Sequence, residues 1–387
     1  MTDGGARAIG VGLLGYAGVA RAHLQAILRL PTIFSVRRRP VVVAVAGRSE
    51  AAAMQTARRY GASAVYTEWR RLVDDPRVEM LINAAPNDLH VEPCMAAAAR
   101  GIHVLCEKPL ARSAQEAAQM CEAAADAEVV HMTGYNYRFV PAVQLARRLL
   151  GEGRLGQIYH FRARFCDESM VDPQTPYGWR HSRRQAGSGS ISDLAAHAVD
   201  MARYLVGEIE AVSAATRIFV DRRPQPDGGE GMVDVEDAVE AVLEFANGAF
   251  GTLEASTFCA GQKNLFTFEI NGAEGSLAFN LERLNELQVS LRGDDVEGFR
   301  TILVTDARHP YGGLWWPPGH ILGWEHAFVH QLHRFLTAVA EDGTVGPEGA
   351  TFDDGYRCAV VGDLLDQAAR EGRRLSVTSP HGGGTSA

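Results

Sequence analysis

The chain has 387 residues, of which 46% are hydrophobic and 22% are charged, and its formal net charge is −9. This length and composition predict a globular protein of two or three domains, and the acidic balance argues against a nucleic-acid binder or a protein held on anionic membranes. Arginine supplies 36 of the 38 basic side chains, and the only lysines are Lys108 and Lys263. A lysine kept in such a chain can mark a position where arginine cannot replace its compact ammonium.

The six cysteines are scattered and include no Cys-x-x-Cys pair. This pattern predicts free thiols in a reducing compartment, and neither a disulfide framework nor a metal site. Residues 1–5 lack the basic-then-apolar order of a signal peptide, and no stretch approaches the roughly 18 consecutive apolar residues that span a bilayer. We therefore expect a cytoplasmic protein without a membrane or nucleic-acid partner.

Short apolar runs alternate with Ala-rich segments of helical period from residue 8 to about residue 130. The predicted strands are Ala8–Leu14, Val41–Ala46, Val78–Ala84, Ile102–Cys106 and Val129–Thr133. The predicted helices are Ala20–Leu30, Glu50–Tyr60, Val91–Arg100 and Ala114–Asp126. This rhythm predicts an α/β domain of the Rossmann type over residues 1–132, with a parallel sheet covered by helices on both faces.

After about residue 133 the pattern changes to consecutive strands. Helices are predicted over Pro141–Gly151, Leu194–Val206, Trp324–Glu341 and Asp353–Glu371. Strands are predicted over Gln157–Cys166, Val212–Val220, Ala238–Phe245, Ala249–Ser256, Leu265–Ile270, Ser276–Asn280 and Leu287–Leu291. Asn247-Gly248 is a hairpin signal, and Arg222–Gly231 is a predicted surface loop. These elements predict an α+β domain with a large, mainly antiparallel sheet over residues 133–387, ending in a frayed tail from His381 to Ala387.

A loop containing glycine joins the first predicted strand to the first predicted helix. It consists of Gly15, Tyr16, Ala17, Gly18 and Val19. Gly15 permits a tight turn, and a helix N-terminus offers free N–H groups and a positive dipole end to a pyrophosphate. The loop is a degraded form of G-x-G-x-x-G, and a plain strand-to-helix turn is the alternative. The βαβ context favours binding of a dinucleotide.

The end of the second predicted strand bears on the form of the dinucleotide. Sites that prefer NAD carry Asp or Glu there for the ribose hydroxyls, whereas this chain has Gly47, Arg48 and Ser49 before Glu50. Arginine and serine suit a 2′-phosphate, which slightly favours NADP over NAD. The alternative is that Arg48 stacks on the adenine of either cofactor. Replacing Gly47 by Asp is expected to shift the preference toward NAD.

Five motifs occur in an order that is typical of one enzyme family. They are the glycine loop, Glu107-Lys108-Pro109, Asn136-Tyr137-Arg138-x-x-Pro141, Trp179-Arg180 and Gly187-x-Gly189-x-x-x-Asp193-x-x-x-His197-x-x-Asp200. With these motifs the chain resembles, over nearly its whole length, the Gfo/Idh/MocA (glucose-fructose oxidoreductase/inositol dehydrogenase) family. Within that family it looks most like the levoglucosan dehydrogenase-type sugar dehydrogenases.

The resemblance implies that Lys108, Asp193 and His197 form the catalytic group. Oxidation of a secondary alcohol agrees with these residues, because His197 can accept the hydroxyl proton and Lys108 can donate to the alcohol oxygen. Asp193 and His197 are four residues apart at a predicted helix start and lie on one face. Asp193 either orients His197 or holds a neighbouring substrate hydroxyl. Whether Lys108 or His197 dominates proton transfer stays open.

The resemblance also implies cofactor contacts beyond the glycine loop. Besides Gly47, Arg48, Ser49 and Lys108, the predicted contacts are Ala85, Pro86, Asn87, His90, Glu107, Asn136, Arg138, Trp179 and Arg180, with Tyr135 as a further pocket contact. The segment Trp315-Trp316-Pro317-Pro318 either walls the sugar site or packs in an oligomer contact. Lys263 is predicted to be a solvated loop charge.

These observations predict an NAD(P)-dependent oxidoreductase that oxidises a secondary hydroxyl of a sugar, glycoside or cyclitol to a ketone. An aminoglycoside sugar of antibiotic biosynthesis is a narrower option, suggested by the arginine-rich composition and the acidic surface. A homodimer or homotetramer is expected through the open face of the antiparallel sheet. The alternative is a non-catalytic, dinucleotide-sensing regulator, although such a protein would be expected to lose the lysine or the histidine that this chain keeps.

Overall fold

The computed structural model describes residues 7–378, and the predicted tail from His381 lies outside them. The strands of the N-terminal part are β1 (Arg7–Leu14), β2 (Arg38–Ala46), β3 (Ala64–Tyr66), β4 (Met80–Asn83), β5 (His103–Cys106) and β6 (His131–Thr133). Its helices are α1 (Ala20–Ile33), α2 (Glu50–Tyr60), α3 (Trp69–Val73), α4 (Val91–Ala98) and α5 (Ala114–Asp126). The predicted strands and helices of this part are confirmed, and the short elements β3 and α3 were not predicted.

The six N-terminal strands form one parallel sheet in the order β3-β2-β1-β4-β5-β6. The strand order reverses between β1 and β4, so the carboxyl ends of these two strands open a crevice of the kind in which α/β sheets bind ligands. The core of the sheet is closely packed, with Ile9, Val11 and Leu13 of β1 fully buried. The prediction of a Rossmann-type α/β domain is confirmed.

The C-terminal part contains eleven further strands and five α-helices among the described residues. The strands are β7 (Ile158–Cys166), β8 (Ile209–Arg217), β9 (Arg222–Pro224), β10 (Glu230–Met232), β11 (Ala238–Phe245), β12 (Phe250–Ser256), β13 (Leu265–Gly272), β14 (Gly275–Asn280), β15 (Glu286–Leu291), β16 (Arg300–Leu303) and β17 (Leu375–Ser376). The helices are α6 (Pro141–Gly151), α7 (Arg183–Ala186), α8 (Ala196–Leu205), α9 (His326–Ala340) and α10 (Phe352–Glu371).

Nine of these strands form a second sheet in the order β16-β15-β14-β13-β7-β12-β11-β8-β17. Every neighbouring pair is antiparallel except β7 with β12, which confirms the mainly antiparallel prediction. Side chains alternate along β7, where Phe161 and Phe165 are buried while Arg162 and Arg164 are exposed. One face therefore packs in the core and the other remains open.

The prediction of a surface loop over Arg222–Gly231 is wrong at both ends of that stretch, and residues 225–229 between them are a loop. β9 and β10 pair there as a two-stranded antiparallel hairpin separate from the large sheet. Gly228 and Gly229 between the strands have φ angles of 95° and 84°, a conformation that glycine adopts readily and that closes a hairpin. Strands of three residues are too short to show an alternating pattern, so composition alone suggested a loop.

The last two long helices cover the N-terminal sheet. α9 packs against α1, and α10 packs against α5. These contacts cross the predicted boundary near residue 133, and the division into residues 1–132 and 133–387 stays a prediction. Within residues 7–378, none of the helices combines the length and apolarity that crossing a bilayer requires.

Candidate active site

A cavity of about 640 Å³ opens at the carboxyl ends of β1, β4 and β5 and extends to α8. All but three of the predicted catalytic and cofactor residues line it, and the further predicted pocket contact Tyr135 does not. The predicted residues that line it are Gly15, Tyr16, Ala17, Gly18, Val19, Gly47, Arg48, Ala85, Pro86, Asn87, Glu107, Lys108, Asn136, Trp179, Arg180, Asp193 and His197. The fold thus brings residues from distant parts of the sequence to one place.

The glycine loop at the start of α1 has the backbone geometry of an anion-binding turn. Gly15 has a φ of 90°, and a Cβ there would lie 2.5 Å from the carbonyl oxygen of Ala84, so only glycine fits. The backbone N–H groups of Ala17, Gly18 and Val19 donate no hydrogen bond within the part of the chain that the structure describes. Free N–H groups at a helix N-terminus are suited to a phosphate.

Tyr16 packs against the end of β2. A Cβ on Gly47 would lie 2.2 Å from Cε1 of Tyr16, so the ring excludes any larger residue at position 47 in this arrangement. The Tyr16 hydroxyl accepts a hydrogen bond from the backbone N–H of Ser49 at 3.0 Å. The expected effect of Gly47→Asp therefore requires Tyr16 to move first, and that variant does not test the cofactor preference cleanly.

Lys108, Asp193 and Arg180 form a charged cluster on one wall of the cavity. Nζ of Lys108 donates to the Asp193 backbone oxygen at 2.6 Å and to Oδ1 at 3.0 Å. Nε of Arg180 donates to the other carboxylate oxygen of Asp193 at 3.3 Å. Burial pushes the pKa of Asp193 upward, but the positive charges of Lys108 and Arg180 outweigh it and hold that pKa below its usual range.

His197 lies beside this cluster in apolar surroundings. Only 6% of the residue is exposed, and its ring contacts the rings of Tyr137 and Phe165 at centroid distances of 4.5 and 5.8 Å. Burial lowers the pKa of His197 well below its usual value, and the charge of Lys108 lowers it further. The imidazole is therefore neutral near pH 7 and able to accept a proton.

The carboxylate of Asp193 binds Lys108 and Arg180 and has no hydrogen bond to His197 among the described residues. Sequence reasoning left open whether Asp193 orients His197 or holds a substrate hydroxyl. The partners that Asp193 has in the structure were not predicted, because Lys108 lies at the end of β5, far from Asp193 in the sequence. Residues Ile191–Ala195 form a single π-helical turn before α8, a feature that is frequent at functional sites.

Two buried carboxylates bind the backbone next to the charged cluster. Oε1 of Glu107 lies 2.7 Å from Nε2 of His23 on α1, and Oε2 accepts the backbone N–H of Lys108 at 3.2 Å. Oε1 of Glu236 accepts the N–H groups of Gly189 and Ile191 at 2.8 and 2.9 Å. Sequence reasoning missed Glu236, which lies between β10 and β11 and carries no motif. Both carboxylates fix the backbone that presents Lys108 and Asp193.

Three predicted cofactor residues do not line the cavity. Ser49 caps α2 through its Oγ, which accepts the N–H of Ala52 at 3.4 Å. The ring nitrogens of His90 lie 2.8 Å from the carbonyl oxygen of Pro109 and 3.1 Å from that of Ala85. Arg138 is buried in an ion pair with Asp200. The side chains of these residues support the loops around the cavity, and their contact with a cofactor stays a prediction.

An aromatic wall that the sequence did not reveal faces His197. It consists of Tyr137, Phe165, Trp324 and Phe328, with Asn264 at the rim. Burial raises the pKa of Tyr137 to about 12, so its hydroxyl keeps its proton. Neither Trp315 nor Trp316 lines the cavity, and Nε1 of Trp315 donates to Nε2 of His330 at 2.8 Å.

Two buried polar atoms at the cavity lack partners among residues 7–378. They are Nδ2 of Asn136, a donor, and Oδ1 of Asp88, an acceptor. Orphaned buried groups are rare in folded proteins and call for a ligand or water. A nicotinamide dinucleotide carries a carboxamide, ribose hydroxyls and a pyrophosphate, which match an amide donor, a carboxylate acceptor and the free N–H groups of the glycine loop. The residues present therefore fit that cofactor.

Two family models together match most of the chain. The model of an oxidoreductase family with an NAD-binding Rossmann fold matches residues 9–135, and the model of the GFO/IDH/MocA C-terminal domain matches residues 143–278. The chain is 40% identical over 381 residues to levoglucosan dehydrogenase of Pseudarthrobacter phenanthrenivorans, a match that covers 94% of this chain and 97% of that protein.

Solved structures resemble the fold over most of the chain. A complex of levoglucosan dehydrogenase with NADH and levoglucosan has a TM-score of 0.92 and 40% sequence identity, and the match covers 96% of this chain and 100% of that chain. GenD2 from gentamicin A biosynthesis, solved with NAD, has a TM-score of 0.76 and 25% identity, covering 96% and 97% of the two chains.

Proposed function

The chain belongs to the GFO/IDH/MocA family of oxidoreductases, and on that premise we propose that it oxidises a secondary hydroxyl of a neutral sugar or anhydrosugar to a ketone with NAD as the hydride acceptor. The observation that carries the proposal is the pairing of Lys108 with Asp193 beside a neutral His197, in the cavity that the glycine loop also lines. Levoglucosan dehydrogenase, an enzyme with a neutral anhydrosugar as its named substrate, is a relative of the whole chain.

His197 acts as the proton acceptor. Its pKa is depressed by burial and by Lys108, so the ring is neutral, and no described side chain occupies its nitrogens with a hydrogen bond. A neutral imidazole within reach of a substrate hydroxyl can take the proton as the alcohol is oxidised. The aromatic contacts of Tyr137 and Phe165 hold the ring in place.

Lys108 positions the alcohol oxygen and stabilises the negative charge that develops on it. An ammonium has three hydrogens, and two of them point to Asp193. The third is left for the substrate. Because Arg180 shares the Asp193 carboxylate, that carboxylate stays ionised and keeps Lys108 oriented. Donors fixed before the reaction stabilise developing charge without reorganisation.

When bound, the nicotinamide dinucleotide supplies the hydride acceptor of the reaction. The free N–H groups of Ala17, Gly18 and Val19, in the turn that Gly15 permits, would hold its pyrophosphate, and Nδ2 of Asn136 would donate to the cofactor. Trp179 and Arg180 line the same cavity, with the guanidinium 4.3 Å from the centre of the Trp179 ring.

A preference for NAD over NADP is supported by the groups around Ser49. The N–H of Ser49 is taken by Tyr16, and the N–H of Ala52 is taken by the Ser49 hydroxyl. Glu50 adds a negative charge in the first turn of α2, where it repels a phosphate. Arg48 is exposed and is the remaining feature that suits a 2′-phosphate. This proposal departs from the slight preference for NADP expected from the sequence.

A neutral substrate is supported by the charges in the cavity. The ammonium of Lys108 and the guanidinium of Arg180 are both paired with Asp193, so neither is free to bind a sugar phosphate. Of the carboxylates that line the cavity, Glu107 is engaged by His23 and by the backbone of Lys108, and Asp193 by Lys108 and Arg180. Among the described residues this leaves only Asp88 for the several ammonium groups of an aminoglycoside. Trp324 and Phe328 offer apolar faces on which a sugar ring can pack.

Two further features of the chain support an oligomeric assembly and a cytoplasmic location. The open face of the nine-stranded sheet carries charges of both signs, with Arg162 paired to Glu269 and Arg164 paired to Glu254, and suits a contact between copies of the chain. All six cysteines are free, which supports a reducing, cytoplasmic location. Light scattering of the purified protein checks whether it is a dimer or a tetramer.

Substrate turnover is tested by following absorbance of the reduced nicotinamide with NAD and NADP. The substrate panel contains levoglucosan, free hexoses, hexose 6-phosphates, inositols and aminoglycosides. We expect turnover of a neutral compound with NAD and none with phosphorylated or cationic sugars. Tight dinucleotide binding without turnover of any panel member would overturn the proposal and favour a dinucleotide-sensing regulator.

A further inference from the structure

Two cysteines that are distant in sequence meet at one end of β7. Cys166 is the last residue of β7, and Cys259 follows β12, the parallel neighbour of β7. The backbone N–H of Cys259 donates to the carbonyl oxygen of Asp167 at 2.8 Å, which places the two segments side by side. Both Sγ atoms and a carboxylate oxygen of Glu254 lie within 4.8 Å of one another. No metal site was predicted because no two cysteines are close to each other in the sequence.

We propose that Cys166, Cys259 and Glu254 form a binding site for a thiophilic divalent cation such as Zn²⁺ or Cd²⁺. Two thiolates and a carboxylate are ligands that zinc takes in proteins, and sulfur selects soft metals over Mg²⁺ or Ca²⁺. Sγ of Cys166 lies 3.4 Å from Oε1 of Glu254. Sulfur and oxygen ligands of one tetrahedral zinc are about 3.6 Å apart when the bond lengths are about 2.3 and 2.1 Å. Water supplies the fourth ligand.

Arg164 binds the carboxylate of this site through both of its oxygens. Its Nε lies 2.5 Å from Oε2 of Glu254, and its Nη2 donates to Oε1 at 3.2 Å and lies 3.8 Å from Sγ of Cys166. A bound cation takes the place of Nη2 at Oε1 and at the sulfur, while Nε keeps Oε2. Ligating carboxylates are commonly held by such outer hydrogen bonds. The charges also balance, since two thiolates and Glu254 carry three negative charges, and Arg164 with a divalent cation carries three positive ones. A filled site is therefore neutral at the edge of the sheet.

Binding exchanges protons for the metal. Both thiols release their protons to solvent as two metal–sulfur bonds form, and neither sulfur changes its oxidation state. Cys166 is buried, whereas Cys259 is half-buried and leaves a path for entry of the ion. No oxidant or reductant takes part, so the site works with reduced thiols.

The site is separate from the catalytic cluster but joined to the cavity wall. Side chains alternate along β7, so Phe165 faces the cavity while Cys166 faces the other side of the sheet. Asn264, which lies at the cavity rim, follows Cys259 by one short loop. A bound cation would tether that loop to β7 without touching Lys108, Asp193 or His197.

The test is a titration of the reduced, full-length, chelator-treated protein with CdCl₂. We expect one Cd²⁺ per chain by calorimetry and an ultraviolet charge-transfer band of cadmium thiolate. Cys259→Ser and Cys166→Ser are expected to abolish the band, and Glu254→Gln to weaken binding at least tenfold. Cys121→Ser, which removes a half-buried thiol on α5, is the matched control and keeps both signals.

Metal-free thermal unfolding of each variant separates a lost ligand from a lost fold. Cys259→Ala provides a second variant if the serine destabilises the loop. Absence of a band in the wild type, or a band that survives in Cys259→Ser and Cys259→Ala, would overturn the assignment. Dehydrogenase activity is not the readout, so the result does not depend on the proposed reaction.

Discussion

Removal of the buried ion pair between Arg138 and Asp200 is expected to destabilise the protein strongly. Arg138 exposes 3% of its side chain and Asp200 exposes 1%. Nε of Arg138 donates to both Asp200 oxygens at 3.1 and 3.0 Å, and Nη2 donates to Oδ1 at 2.6 Å. Asn136 and His197 lie two and three residues before these partners, so the pair joins two walls of the cavity.

Asp200→Asn and Arg138→Met should lower the free energy of unfolding by different amounts. Breaking a buried pair costs about 3–5 kcal/mol because the remaining charge is left uncompensated. Asp200→Asn leaves Arg138 with Oδ1 of Asp354 at 3.3 Å, so we expect the lower limit, about 3 kcal/mol. Arg138→Met removes the hydrogen-bonded cation of Asp200, and we expect about 4–5 kcal/mol at neutral pH.

The dependence on pH distinguishes this cause from a simple packing defect. Burial already raises the pKa of Asp200, and loss of Arg138 raises it further. The folded Arg138→Met variant therefore binds a proton more tightly than its unfolded chain. Its stability increases as the pH falls through the folded-state pKa of Asp200 toward the lower pKa of that carboxyl in the unfolded chain. Asp200→Asn cannot show this gain, because its amide does not titrate.

Urea unfolding at fixed protein concentration measures these losses. Arg357→Met, which removes a half-exposed partner of Asp353, is the matched control and should cost less than about 1 kcal/mol. The double variant Arg138→Met/Asp200→Leu should recover most of the loss, since both members of the pair are gone and Asp354 keeps Arg203 as its partner. A cost of Arg138→Met equal to that of the control would refute the reasoning.

Three further predictions concern the reaction. Lys108→Met should lower kcat by a factor of about 10²–10⁴, while the dissociation constant of NADH, measured by fluorescence, stays unchanged. A kcat equal to that of the wild type would exclude Lys108 from catalysis. The acidic limb of kcat/KM for the wild type should fall below pH 6.5, because the pKa of His197 is depressed by burial and by Lys108; a limb above 6.5 would contradict a buried neutral base. Tyr16→Phe frees the N–H of Ser49 for a 2′-phosphate. Because one such hydrogen bond contributes about 1 kcal/mol, the ratio of kcat/KM with NADP to kcat/KM with NAD should rise about fivefold. Tyr60→Phe is the control and should leave this ratio unchanged.

The architecture was largely predictable because its elements are long or regularly spaced. Buried parallel strands are continuous apolar runs, and β11 has the bounds predicted from its alternating residues. β3 and β17 have three and two residues, too few for a period to show. The hairpin of β9 and β10 was taken for a loop because Pro, Gly and Asp dominate its composition.

Only those residues of the candidate site that belong to local sequence motifs could be predicted. Lys108, Asp193 and His197 lie in such motifs, and the fold brings them into one cavity. The partners of Asp193 depend on the approach of β5 to the π-helical turn, which no spacing within either segment encodes. Trp324 and Asn264 reach the cavity from loops with no motif, and Glu236 acts on a backbone that lies more than forty residues away in sequence.

Lys108 makes contacts that an arginine at the same position could not reproduce. Its side chain is only 15% exposed, and its single nitrogen reaches both the backbone oxygen and the carboxylate of Asp193. The guanidinium of an arginine at position 108 would extend beyond the position of the Lys108 nitrogen. It would enter the space left for the alcohol oxygen and approach the Asp193 carboxylate oxygen that binds Arg180. Arg180 cannot take over the task, because its head lies over the Trp179 ring. A chain that otherwise uses arginine for nearly all its positive charge therefore has a steric reason to keep lysine at this position.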